Sequence, residues 1–304
     1  MKELRLRDQG ELCYTISPNN NPRLHVDPGE IVEVETEDAF SGQVRTDGDR
    51  RDMKAIPYPN PQSGPIYVNG AKKGDTLKIK IDDIQPLIGQ GATRIVSFWY
   101  TSKYDTELVE RFLGSEPVPH GTRICPIRDG KVYFDKFELP YRPMIGTIGT
   151  ADAMETYLTW LPGPYGGNMD IPEITKGATL YLPVNVDGAL LHLGDAHAIQ
   201  GDGEMAGAAV EMPARVRLQL DLIREHPISW PRLENENRLF SIAAMQAGRD
   251  MQATIRLAFL ELMLWLENDY SLDRWLTFEL LTFESQIRLG NFWTAAVGLQ
   301  KKYL

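Results

Sequence analysis

The sequence predicts a mainly β fold, with β-sandwich or barrel-like sheets and a C-terminal helical pair, α+β overall. Three observations lead there. Residues 214–222 alternate strictly, Val216, Leu218, Leu220 and Leu222 against Arg215, Arg217, Gln219 and Asp221, which is the period of a half-buried strand. Glycine and proline are plentiful, 26 and 20, as many short strands joined by turns require. After about Arg249 the period changes, and Ile255, Ala258, Phe259, Leu262 and Leu266 follow helical spacing. The 304 residues, 42% hydrophobic, suffice for a large core. They read as one unit, 1–304, divisible into β lobes at about 1–142 and 143–248 with helices in 249–304.

Along the chain, residues 30–36 set Val32 and Val34 against Glu33 and Glu35, and 76–82 set Leu77, Ile79 and Ile81 against Lys78, Lys80 and Asp82. Turns at 27–29 (Asp-Pro-Gly) and 72–75 (Lys-Lys-Gly-Asp) precede these strands. Residues 86–142 are less regular. A buried strand is expected at 95–100 and another at 131–134, while Pro117, Pro119 and Pro126 argue against helix, and His120 reads as a loop polar group. Residues 161–170 hold two prolines and three glycines and read as loop. Ser271 is the expected N-cap of a second helix running to Phe283, with Asp273 in its first turn. Trp265, Trp275, Phe278 and Phe283 are expected to pack on the sheets, and the exposed remainder of the helical pair to suit a dimer interface.

A net charge of −10 and a pI near 5.1 argue against nucleic acid, whose phosphates need a basic face, and against an anionic membrane surface. They suit a neutral substrate. Cys13 and Cys125 stand in unrelated contexts and read as free thiols of a reducing compartment. The N-terminus has no apolar run of signal-peptide length, and the most apolar run, 257–266, contains Glu261. The expected location is the cytoplasm.

The chemistry concentrates in residues 187–211, DGALLHLGDAHAIQGDGEMAGAAVE. Asp195 and His197 are two apart, as are Asp202 and Glu204, and on extended backbone such residues share a face. A turn near residues 199–201 would fold the second pair over the first. An Asp-x-His pair begins a divalent-metal site, although a catalytic zinc takes three protein ligands. The alternative is a polar turn with solvated acids.

These residues resemble the signature of the acetamidase/formamidase family, G-D-x-H-A-x-Q-G-D-G-E-x-x-G. Further blocks match in order: residues 21–43, 64–77, 143–151 (PMIGTIGTA) and 162–170 (PGPYGGNMD). Five ordered blocks over roughly 20–215 make the resemblance specific. It implies hydrolysis of small amides to carboxylate and ammonia, a β-rich fold, a bound divalent metal and a homo-oligomer, dimer or higher.

Amide hydrolysis needs a nucleophile, an oxyanion donor and a proton for the departing amine. A metal-activated water with a carboxylate base would supply these. Asp195 and His197 are assigned as ligands with Asp170 as a third, and Glu35 and Asp38 as second-tier ligands. Glu204 is the general base. Asn168 and the backbone at Gly201, Asp202 and Gly203 are the substrate-binding candidates, Asp202 itself being read as an acceptor of turn N–H groups. Glu211 is expected in a buried pair with Arg215 or Arg217. His192 is either an added ligand or a pocket wall. Histidine favours zinc at the chemical centre, with a further calcium at the acidic turns. The rival reading is a non-catalytic metal-binding β module that captures a small ligand.

Overall fold

A computed structural model describes residues 1–96, 121–245 and 250–304. Most of the strand expected at 95–100, together with Pro117, Pro119, His120 and Arg249, lies outside them. The architecture is mainly β with two helices near the C-terminus. Two large sheets dominate. One runs in the order Lys2–Leu4, Ile31–Thr36, Ala214–Ile223, Thr76–Pro86, Thr179–Pro183, Arg232–Glu234, Arg238–Ala244, Thr294–Gln300, Gln286–Leu289. In the other, the central strand Leu191–His197 lies between Met144–Gly149 on one side and Gln62–Val68 and Glu211–Met212 on the other. Both sheets draw strands from before and after residue 142.

The alternating stretches become strands for the expected reason. Leu77, Ile79, Ile81, Val216, Leu218 and Leu220 are fully buried and join Ile66, Ile145, Ile148, Leu191 and Leu193 of the second sheet in one apolar cluster. The two longest strands pair through Leu218–Ile81 and Leu220–Ile79, so a slip of one residue would turn every leucine outward. Opposite charges pair across the outer face, Arg217 on Glu33 and Arg215 on Glu33 and Glu35. Residues 161–170 are not all loop: Pro162–Gly163 and Gly166–Asn168 form short strands, the latter against Met144–Gly149.

Helix α1, Met251–Tyr270, starts at Asp250, whose carboxylate accepts from the Ala253 amide. Ala258, Leu262, Trp265 and Leu266 bury its inner stripe against Leu239, Val297 and Leu299. Two expectations about the second helix fail. Ser271 does not start it. Its φ is 56°, and its N–H closes α1 onto Glu267. Helix α2, Arg274–Glu284, starts instead at Asp273, which accepts from the Trp275 and Leu276 amides. Nor do its aromatics pack on the sheets: α2 buries only Thr277 and Leu281, leaving Trp275 72%, Phe278 58% and Phe283 76% exposed. A buried stripe two residues wide leaves the aromatic positions facing outward. Among the described residues no helix is long and apolar enough to cross a membrane.

Candidate active site

The buried strand Leu191–His197 carries the centre of the site. Register sets His197 opposite both Met144 and Glu211 on its two neighbours. Three acids around it hold left-handed backbone: Asp195 at φ 56°, Asp170 at 51° and Glu204 at 45°. A non-glycine residue rarely adopts this, at a cost of about 1–3 kcal/mol where it does. Asp195 is thus not the extended residue that its spacing from His197 suggested. Gly146 explains how two carboxylates share this space. A Cβ there would lie 2.5 Å from Asp170 Oδ1 and 2.7 Å from Asp195 Oδ2, so any side chain would displace one of them.

Four side chains converge with one end held and the other aimed inward. Asp195 Oδ2 accepts from Asn60 Nδ2 at 3.0 Å and lies 3.0 Å from the Thr147 hydroxyl. Asp170 Oδ2 accepts from Asn291 Nδ2 at 2.7 Å. Glu211 Oε1 accepts from the Ala209 amide at 2.9 Å. His197 Nδ1 lies 2.8 Å from Gln200 Oε1. The other ends meet: His197 Nε2 is 3.1 Å from Glu211 Oε2, 3.4 Å from Asp195 Oδ1 and 4.0 Å from Asp170 Oδ1. Asp170 Oδ1, His197 Nε2 and Glu211 Oε2 are buried and have no hydrogen-bond partner. Two sets of ligand atoms each fit within 4.8 Å, Asp170 with Asp195 and His197, and His197 with Glu204 and Glu211.

The electrostatics agree with that geometry. Burial, then the charge of Asp195, pushes the Asp170 carboxyl up to about 7. Burial likewise raises Glu211 to about 7, with His197 opposing. Glu204 is raised well above the usual carboxylate range by burial and by Asp170. Burial works against a charged His197, but Glu211 and Asp195 overcome it and raise the imidazole well above 6.5. Four carboxyl groups face one imidazole in a nearly dry space, an arrangement that calls for compensating positive charge. Partnerless carboxylate oxygens of Asp170 and Glu211 within 4.0 Å of the partnerless His197 Nε2 are donors of the kind a divalent cation takes, so these residues fit one.

Asp170, Asp195, His197 and Glu204 are therefore brought together, with Asn168 beside them. Its Oδ1 accepts from Asn60 Nδ2 at 3.2 Å and lies 2.6 Å from the Thr147 hydroxyl. Glu35 and Asp38 are not brought in. Glu35 pairs with Arg215 on the outer face, and Asp38 holds the Phe40 and Gly42 amides and Arg45. Asp202 and Glu204 do not act as a pair. Asp202 is exposed and binds Arg288 at 2.9 Å, while the turn at Gly203 and Glu204 swings Glu204 inward. Gly201 is exposed, and the Gly203 amide donates to Leu289 and Gly290.

The expected pairing of Glu211 with Arg215 or Arg217 is wrong. Those arginines face outward to Glu33 and Glu35, whereas Glu211 lies directly across the ladder from His197. His192 is neither ligand nor open wall. Burial holds it neutral, down to about 4, and its ring nitrogens are occupied by Leu190 O at 3.0 Å and Asn20 Nδ2 at 2.9 Å. Sequence reasoning missed Asn60, Thr147, Gln200 and Asn291. Gln200 stood in the quoted signature; Asn60 and Asn291 carry no local signal. A cavity of about 120 Å³ lined by Tyr181, Arg232, Trp265 and Tyr270 includes none of the cluster residues.

The model of the acetamidase/formamidase family matches residues 7–161 and 153–278. The structure of an acetamidase from Yersinia enterocolitica superimposes with a TM-score of 0.91 at 34% identity, covering 100% of this chain and 93% of that one. A provisionally named formamidase of Schizosaccharomyces pombe is 26% identical over 273 residues, covering 68% of this chain. An acetamidase of Mycolicibacterium smegmatis is 28% identical over 255 residues, covering 66%. The chain spans 65% and 63% of the length of these two curated relatives.

Proposed function

The chain belongs to the acetamidase/formamidase family, and from that premise we propose that it hydrolyses small neutral amides to carboxylate and ammonia at the buried cluster. One observation carries the reading. Asp170, His197 and Glu211 each have one polar atom anchored and another buried without a partner, and those free atoms converge. Asp170, Asp195, His197 and Glu211 would hold a divalent cation. Oxygen donors with one imidazole favour zinc or a similar transition ion over calcium. Both convergent sets share His197, so no residues are assigned to a further calcium. When bound, the ion polarises a carbonyl and acidifies water.

The chain's own residues do the rest. Glu204, partly open to solvent at the edge of the cluster and ionised once a cation compensates the neighbouring carboxylates, takes the proton of the attacking water and passes it to the departing amine. Because Oδ1 of Asn168 faces the donors of Asn60 and Thr147, its Nδ2 is left to donate to the amide oxygen. Self-association belongs to the same reading. The outer face of α2 exposes three aromatic rings and Leu276, on the order of 500 Å² of surface from one helix, as much as the largest apolar patch of a typical monomer, which is often an interaction site. A two-fold contact with a second copy would cover it, supplying a large part of the ~800 Å² per partner of a stable interface.

The test is ammonia release from formamide and acetamide by protein as purified, after thorough chelation, and after zinc is restored. Activity lost on chelation and regained with zinc is expected. Activity indifferent to chelation would contradict the metal assignment, and silence across an amide panel would contradict the amidase reading.

A further inference from the structure

We propose that Gln200 is a positioning residue that fixes which nitrogen of His197 faces the centre, and so makes the imidazole a ligand. This rests on the metal reading above. Gln200 is buried, and its carboxamide is held on both sides. Nε2 donates to the Asp170 carbonyl at 2.7 Å and to the Gly290 carbonyl at 2.9 Å. Both amide hydrogens are thereby used. Turning the group over would set its oxygen against two carbonyl oxygens, so Oε1 must be the atom facing His197. The 2.8 Å contact is then an Nδ1–H donating to Oε1. In the neutral ring the lone pair accordingly lies on Nε2, the atom that is buried without a partner 3.1–4.0 Å from three carboxylate oxygens.

The two carbonyls come from the chain around the site itself. One belongs to the ligand candidate Asp170, and the other to the turn between Gln286–Leu289 and Thr294–Gln300. A single side chain therefore links the imidazole, the Asp170 backbone and the C-terminal hairpin. Loss of its acceptor would free the ring to turn or to protonate on Nε2, and either removes a ligand.

The experiment is zinc affinity of the full chain, measured by chelator competition, for wild type, Gln200→Met and Gln200→Glu, with melting of each metal-free protein recorded alongside. Gln200→Met keeps the length but offers Nδ1–H no strong acceptor. It should weaken zinc binding by roughly 10–100-fold with an unchanged melting profile. Gln200→Glu, buried beside four carboxyl groups and therefore protonated, keeps an acceptor for Nδ1–H and an O–H that donates to one of the two carbonyls, and should bind within about fivefold of wild type. Wild-type affinity in Gln200→Met, or equal weakening in both variants, overturns the proposal while leaving a metal site in place. A wild type that binds no zinc overturns the metal reading and this inference with it.

Discussion

Two hairpins meet the cluster, and they meet it with opposite kinds of residue. The first, from Leu191 to Met212, supplies Asp195, His197, Glu204 and Glu211. The second, from Gln286 to Gln300, supplies no acid or imidazole, yet the Asn291 side chain holds Asp170, the Gly290 carbonyl holds Gln200 and Leu289 and Gly290 hold the Gly203 amide. The first hairpin carries acids and the imidazole, and the second supplies neutral hydrogen-bond partners around them. The difference teaches that the chemistry of a buried charged site depends as much on neutral amides at its rim as on its ligands.

The comparison breaks most readily at Glu204. If that residue handles protons and is dispensable for the cation, Glu204→Gln should lower kcat by roughly two to four orders of magnitude. Zinc content by elemental analysis should stay unchanged. Loss of metal with turnover intact would make Glu204 a ligand instead. On the second hairpin the effect should be smaller and of another kind. Asn291→Ala leaves Asp170 Oδ2 without its donor and should weaken zinc binding by roughly 10–100-fold, most of the rate returning at saturating zinc. An unaltered affinity would reduce the second hairpin to scaffold. The smallest chemical effect should come from Trp275→Glu on α2, outside both hairpins. Rate per chain should hold, while the mass measured by light scattering falls toward that of one chain. A mass that does not change would exclude this face as the contact between copies.

The legibility of the fold and of the site in the sequence divides along the same line. Strands with strict alternation, 214–222 and 76–82, were legible because burial on one face leaves a period of two. Asp195, His197 and Glu204 were legible because acids and histidine among glycines are chemically conspicuous. Glu211 was legible as an acid but not in its role. Its contact with His197 is set by ladder register across a long turn, and local spacing invited an ion pair with Arg215 instead. Asn60 and Asn291 sit 135 and 96 residues from Asp195 and look like ordinary turn residues. The exposed α2 face was misjudged because aromatic content says nothing about which side of a helix meets the sheet.

The most direct measurement is X-ray absorption at the zinc edge on protein loaded with one equivalent of zinc, repeated on His197→Ala. A single tightly held ion, ligated only by oxygen and nitrogen with imidazole scattering that disappears in the variant, is the predicted result. An ion with sulfur ligands, scattering unaltered by His197→Ala, or no retained ion would contradict the proposal that Asp170, Asp195, His197 and Glu211 hold a cation.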